Sequence, residues 1–434
     1  MKRIAASFFL LFVGNCLVFS NNILAFSNRP SADDMSKVNS SSDLLPKIKE
    51  AQKRLRAESV EILKDTVGTR RVRVGRRKYK TVPVIGIVGR EMALAVLDSE
   101  GKIRIARGIK RDRGFEVQTP GFLFSVRRDN GINSNFACLK PANGKVLAVK
   151  YPISNEGNRF GPGDSVIESV YTPYSPEIRT REVIERGIEV QHGFIDEAYA
   201  RLRERAVFSR AYPGRKIVDV VPKDVLTVLL INEHIDPGAF ESEGMAKPLA
   251  EEVLTIIGTN LEKAYAFSIS PAGARGLVQM IPSTYYLIAK KYPEARISTN
   301  FASGMMDVVN AVVAQILLCD SDWQAIRARQ DINGKRIGPY LAAAYNGGVG
   351  RVLSYLEHGK NNWIEEPDLD KLPTKTVTKK VPVKVRSRGR VRTKYVTRSY
   401  SQPIFRFETS KYVQQYHWIY DYFVSSKSKG FKGK

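Results

Sequence analysis

Three short stretches between residues 229 and 348 carry side chains suited to proton transfer and to holding a sugar. The first, Leu229-Leu230-Ile231-Asn232-Glu233-His234, ends an almost wholly apolar run with an acid. A carboxyl delivered by a buried helix is desolvated, which disfavours its charged form and raises its pKa. A group still protonated near neutrality is what a general acid needs to protonate a departing glycosidic oxygen. The plain alternative for Glu233 is an exposed helix-terminal acid. The second stretch runs from Ser270 to Tyr285 and is rich in small residues, which let a backbone approach its neighbours closely. Within it, Gln279 offers both donor and acceptor, suited to an acetamido group or a sugar hydroxyl. Ser283 is placed to N-cap a helix that follows Pro282. The third stretch, Ala342-Ala343-Ala344-Tyr345-Asn346-Gly347-Gly348, sets a hydroxyl beside an amide where glycines stop a helix. A packing turn and a simple helix cap are the alternatives for these two.

The elements that must position these groups are mostly helical. Residues 224–234 read as a buried helix because they are apolar all round until their last three positions. Helical spacing recurs at 182–206, 247–258, 283–292, 305–319, 322–329, 338–346 and 348–358, which makes 176–368 one mainly α domain. Before it, residues 68–175 break into short β-rich runs split by Gly, Asn, Asp and Pro, and read as a small β-rich domain. Residues 26–67 read as a linker followed by a helix over 44–67. After the α domain, 369–434 holds a basic alternating segment centred on Ser387-Arg388-Gly389, read as a β-hairpin, and an aromatic terminal helix over 403–423. A similar basic string at 69–84 is a weak internal repeat, the other strand of one ribbon, or a coincidence of basic β-formers. The fold class is therefore α+β.

The motifs taken together resemble a known family. SPAGARGLVQMIPST, Asn300-Phe301-Ala302-Ser303-Gly304 and AAYNGG follow an acid at the end of an apolar helix. In that order they resemble the catalytic domain of soluble-type lytic transglycosylases, relatives of goose-type lysozymes, over about residues 220–360. The resemblance implies a lysozyme-like α fold. It implies cleavage of the β-1,4 bond between N-acetylmuramic acid and N-acetylglucosamine in peptidoglycan, with a 1,6-anhydromuramic acid end as product. Glu233 is then the catalytic acid and later the base. Tyr345 and Asn346 orient Glu233 and the sugar, Gln279 and Met280 line the cleft, and His234, which stands where the family has Ser beside its acid, is a further substrate contact. No metal or organic cofactor is implied. Two departures stand out. His234 replaces that Ser, and Glu233 lies 40 residues before Gly273, several times the family's gap. Either an insertion over roughly 236–263 separates them, or the acid is Glu262, 11 residues before Gly273. Glu262 lacks an apolar helix to deliver it, so Glu233 is preferred. A lysozyme-type hydrolase and a non-catalytic peptidoglycan-binding or assembly protein on the same fold are the alternatives.

Composition bounds the partners. The 434 residues are 43% apolar and 26% charged, an ordinary globular balance, but the formal net charge is +25. Such a charge attracts nucleic acid, anionic lipid or anionic wall polymer alike. Residues 1–25 read as an export signal: Lys2 and Arg3 precede a short apolar run, with cleavage expected after Ala25. Asn15 fits poorly before a lipidated Cys16, so lipid anchoring is not expected. An exported protein meets peptidoglycan glycan strands and anionic wall polymer or membrane surface first, and the acid-free basic segment 374–402 is either the contact for that polymer or surface or a solvated charged face. No standard nucleic-acid motif appears. Three cysteines without a CxxC pair and four histidines make a zinc site improbable, and Cys138 and Cys319 allow at most one disulfide after export.

Overall fold

The computed structural model describes residues 44–425 apart from 113, 158, 162, 164, 237, 330–336, 360–361 and 388–389. The expected export signal over 1–25, Cys16, and Arg388-Gly389 at the expected centre of the basic segment lie outside the described residues. The chain is mixed α and β: a β-rich N-terminal region, a helical body, then a β-hairpin and a closing helix.

The first helix, α1 (Leu44–Arg56), buries Leu44, Ile48, Ala51 and Leu55, a spacing that puts all four on one face. That face packs on one side of a six-stranded antiparallel sheet, against Ala93, Ala95, Leu147 and Ala148. The sheet runs β4 (Phe115–Val117), β3 (Ile103–Lys110), β2 (Lys78–Leu97), β7 (Lys145–Ser154), β8 (Val166–Tyr171), with β1 (Ile62–Gly75) paired to β2. Alternate residues Met92, Leu94 and Val96 face the opposite side and join the main core. A separate pair, β5 (Leu123–Arg128) with β6 (Asn135–Lys140), adds Phe124 and Phe136 to that core.

The expected helix over 44–67 is corrected here. It stops at Arg56, and Ile62 already belongs to β1, paired with Arg90. Charge spacing along 57–67 is compatible with a helix, but strand pairing with β2 overrides that local preference. β2 is 20 residues long, and only its second half, from Arg90, lies between β3 and β7. Its first half leaves the sheet with β1 as a two-stranded ribbon.

The helical body begins with α2 (Arg181–Glu204), whose N-cap Thr180 accepts from the Val183 amide. It continues through α3 (Lys223–Asn232), α4 (Ala246–Asn260), α5 (Pro282–Lys291), α6 (Phe301–Met306), α7 (Val308–Arg327), α8 (Ile337–Gly347) and α9 (Val349–His358). The two helices expected over 305–319 and 322–329 are a single helix, α7, preceded by the short α6. β9 (Thr374–Ser387) and β10 (Arg390–Pro403) form a second isolated ribbon, and α10 (Phe407–Tyr420) closes the chain against the body. The basic strings at 69–84 and 374–402 are therefore two separate hairpins, not two strands of one ribbon. Cys138 and Cys319 are both free. Among the described residues no helix is long and apolar enough to cross a membrane.

Candidate active site

α3 is where the apolar run becomes a delivery device. Val225 through Asn232 are buried without interruption, so the helix is surrounded by protein on every side. The amides of Glu233 and His234 still bond back to the carbonyls of Leu229 and Ile231, both at 3.1 Å. The acid therefore sits on a rigid helical terminus, not on a loop.

α10 runs antiparallel beside α3 and is pinned to it at both ends. Tyr420 Oη donates to Asp224 Oδ2 at 2.9 Å near the start of α3. At the other end Asn232 Nδ2 donates to the Tyr412 carbonyl at 3.1 Å, and Tyr412 Oη donates to Glu233 Oε1 at 2.5 Å. Glu233 keeps some exposure as a residue, while its carboxyl is strongly desolvated. Burial pushes its pKa up to about 8, against a smaller downward pull from the Tyr412 hydroxyl. The two groups are opposed because burial favours the neutral acid and the hydroxyl favours the carboxylate. Neither influence is a second carboxylate. Burial, and then the nearby Glu233 carboxyl, hold the Tyr412 and Tyr345 hydroxyls well above the usual tyrosine range.

The glycine-rich segment folds as a compact turn before α5. Ile269 and Met280 both bridge to Arg275, and Ser270 Oγ accepts from the Ala274 amide at 3.0 Å. Gly276 is required twice over. Its φ is +69°, and an added Cβ would lie 2.5 Å from the Met305 carbonyl oxygen. Gln279 also has positive φ, and its Nε2 donates to the Gly276 carbonyl at 2.8 Å. The side-chain amide thus braces the turn. Met280 is only 2% exposed and belongs to the core. The predicted cap at Ser283 is corrected: α5 starts at Pro282 with Ile281 as N-cap and no side-chain cap bond. Proline's fixed φ suits the first helical position, which moves the boundary one residue earlier.

The third stretch is the end of α8. Tyr345 Oη donates to the Val278 carbonyl and so ties α8 to the glycine-rich turn. Asn346 is exposed on the last turn of α8, and Gly348 takes φ +84° between α8 and α9. Asn300 N-caps α6 by accepting from the Ser303 amide.

His234 links the acid's helix to the same turn. Its Nε2 lies 2.7 Å from the Leu277 carbonyl, and its ring stacks on Tyr265 at 3.6 Å between centroids. Since a carbonyl only accepts, Nε2 carries the proton. Burial pulls the ring's pKa down to about 4, so it is neutral at physiological pH. A small Ser could not span this gap or cover the Tyr265 ring.

The structure thus brings Glu233, Tyr345 and the Leu277-Val278-Gln279 backbone into one neighbourhood. It places Glu262 elsewhere, exposed on a single 3-10 turn after α4. The segment between the acid and the turn contains α4, buried from Val253 to Asn260. Asn260 exchanges bonds with the Thr172 backbone at 2.7 and 2.9 Å, so this segment joins the helical body to the β-rich region. Sequence reasoning missed Tyr412, whose hydroxyl donates to the Glu233 carboxyl. The available signal was the aromatic spacing of residues 403–423, but nothing local says which tyrosine faces α3. No group of three or more His, Cys, Asp or Glu is placed to hold a metal among the described residues. Comparison with family models, characterised proteins and solved structures returns no match.

Proposed function

We propose that this chain is a peptidoglycan lytic transglycosylase built on a lysozyme-like helical body. One observation carries the reading: burial pushes the pKa of the Glu233 carboxyl up to about 8, no second carboxylate is among the groups that shift it, and the Tyr412 hydroxyl donates to it. Ordinary glycosidases use two carboxyl groups, roughly 5–9 Å apart. Here one group serves both roles. Protonated Glu233 gives its proton to the glycosidic oxygen as the bond to C1 breaks. The substrate's own acetamido oxygen stabilises the cation at C1. Tyr412, donating to the carboxylate, stabilises the charge that Glu233 gains at that moment. Glu233 then takes the proton of the muramic acid C6 hydroxyl, whose oxygen closes on C1. The product carries a 1,6-anhydro end, no water is consumed, and Glu233 returns to its protonated form.

The remaining residues support this sequence by position. Tyr345 and His234 fasten the glycine-rich turn to the two helices that frame Glu233. Exposed Asn346 and the side-chain carbonyl of Gln279 are the polar groups we assign to the sugar. Each proton-transfer role is worth about 10²–10⁴-fold, and an internal nucleophile adds the advantage of proximity. The test is Glu233→Gln assayed on purified walls by mass spectrometry of released muropeptides. The wild type is expected to release anhydro-ended fragments and the variant none. Reducing muramic acid ends from the wild type would replace this reading with hydrolysis. Undiminished release by the variant would remove Glu233 from the chemistry.

A further inference from the structure

The two β-ribbons raise a question that the Glu233 site does not answer. From Thr66 to Ile85 the first ribbon carries seven Lys and Arg and no acid, and from Thr374 to Pro403 the second carries ten and no acid. These two segments thus hold most of the chain's net charge of +25. At about 3.3 Å per residue, a 14-residue strand reaches roughly 46 Å, and both β9 and β10 have that length. Neither ribbon has a core. Val67, Val74, Tyr79 and Ile85 are exposed on the first, as are Val391 and Tyr395 on the second. An isolated two-stranded ribbon is marginally stable in water. The second also sets Arg398 directly opposite Lys379, a like-charged cross-strand pair that costs free energy. A counter-charged partner removes both penalties.

The register decides what shape of partner fits. Cross-strand pairs share a face, and neighbouring pairs alternate. One face of β9–β10 holds Lys379, Arg390, Arg392, Lys394 and Arg398, and the other holds Lys380, Lys384 and Arg386. On β1–β2, Arg70 and Lys80 share one face and Arg71 and Arg73 the other. A ribbon lying on a bilayer would segregate its charges to the side away from the hydrocarbon. These ribbons are charged on both faces, which suits a flexible chain that can wrap them. Aromatic platforms for base stacking are few: Arg71 sits 5.3 Å over the Tyr79 ring and Lys379 5.6 Å over Tyr400, which leaves Tyr395 as the exposed ribbon ring with no cation over it among the described residues.

We infer that both ribbons are binding arms for a linear phosphodiester polyanion of the cell envelope, outside the Glu233 site and independent of its chemistry. The probe is poly(glycerol phosphate), titrated into the full-length mature chain at several salt concentrations. Duplex DNA, phosphatidylglycerol vesicles and neutral dextran serve as the comparison ligands. One variant replaces Arg70, Arg71, Arg73 and Lys80 by Gln, and another replaces Lys384, Arg386, Arg390, Arg392 and Lys394. Each is expected to weaken polymer binding by about tenfold or more at low salt and to flatten the salt dependence, as losing phosphate contacts does. Combining the two should abolish binding. Exchanging the same Lys for Arg and Arg for Lys should restore it, which separates charge from folding. Glu233→Gln should bind the polymer normally, so failure here and failure of the catalytic reading are distinguishable. Polymer binding unchanged in both arm variants overturns the inference. So does tighter binding of DNA, or of vesicles, lost in the same variants.

Discussion

Replacing Tyr412 by Phe removes one hydroxyl and leaves its ring in the α3–α10 seam. That hydroxyl donates to Glu233 Oε1 at 2.5 Å and is the counterweight to burial in setting the carboxyl's pKa. A hydrogen bond to a charged group is worth about 1.5–3 kcal/mol. At about 1.4 kcal/mol per tenfold change, its loss moves the titration of Glu233 upward by roughly one to two pH units. The same loss falls on the step that creates the carboxylate, so turnover at neutral pH should drop about ten- to hundredfold. The assay is the pH dependence of anhydro-muropeptide release from purified walls. The wild type should lose activity as pH rises through about 8, where Glu233 gives up its proton. In Tyr412→Phe the whole profile should be lower, with its alkaline fall displaced to higher pH. A melting curve within a few degrees of wild type confirms that packing survived. An alkaline fall that stays in place, whatever the rate, would refute the role given to the hydroxyl.

Two further outcomes follow from buried groups and close contacts. Glu233 and His234 titrate against each other: folding favours the protonated acid, whose contribution is full below its ordinary 4.5 and fades as pH rises through about 8. Folding favours the neutral imidazole, whose contribution is full above its ordinary 6.5 and fades as pH falls toward about 4. Melting temperatures of Glu233→Gln should therefore fall on acidification below 6.5, while those of His234→Gln should rise as pH drops from 8 to 4.5. Parallel curves would contradict the assigned shifts. α2 and α4 cross so closely that a Cβ on Gly187 would lie 2.1 Å from the Leu254 carbonyl oxygen, and one on Gly258 2.4 Å from that of Val183. Either Gly→Ala change should destabilise the fold by about 1–3 kcal/mol or more. Gly193→Ala, on the same helix with open space around it, should be neutral or stabilising by calorimetry.

The sequence made the helical body legible because its signals are local. The largely apolar run before Glu233, the proline at 282 and the glycines at 347 and 348 each act within a few residues, and the helix ends fall within a residue or two of them. The second hairpin was legible, pairing included, from the alternation along 374–402; the first was not, because the string at 69–84 pairs within itself and onward into the sheet. Residues 62–67 have helix-compatible charges and become strand only because β2 lies beside them. The candidate site divides the same way. Glu233 could be chosen over Glu262 from the hydrophobicity of its own helix. Tyr412 could not be found, because it reaches the acid across 179 residues of chain. His234, read from sequence as a substrate contact in place of a family Ser, is taken up by the Leu277 carbonyl and the Tyr265 ring.

That last difference ties the unusual spacing to the unusual neighbour. Glu233 lies 40 positions before Gly273, and the regular structure between them is α4 with a 3-10 turn on either side. Tyr265, at φ +58°, belongs to the return of that segment toward the glycine-rich turn. A flat ring of this size needs a flat partner on its open side, and an imidazole with one N–H supplies both the stack and the bond to Leu277. α4 with its flanking turns and the histidine therefore form one structural unit: shortening this segment without replacing His234 would leave its ring without Tyr265, and replacing His234 alone would leave Tyr265 without its stacking partner. Deletion and substitution made together should cost less stability than the sum of the two made singly. Strict additivity of the two in a double-mutant cycle would show that they are unrelated departures.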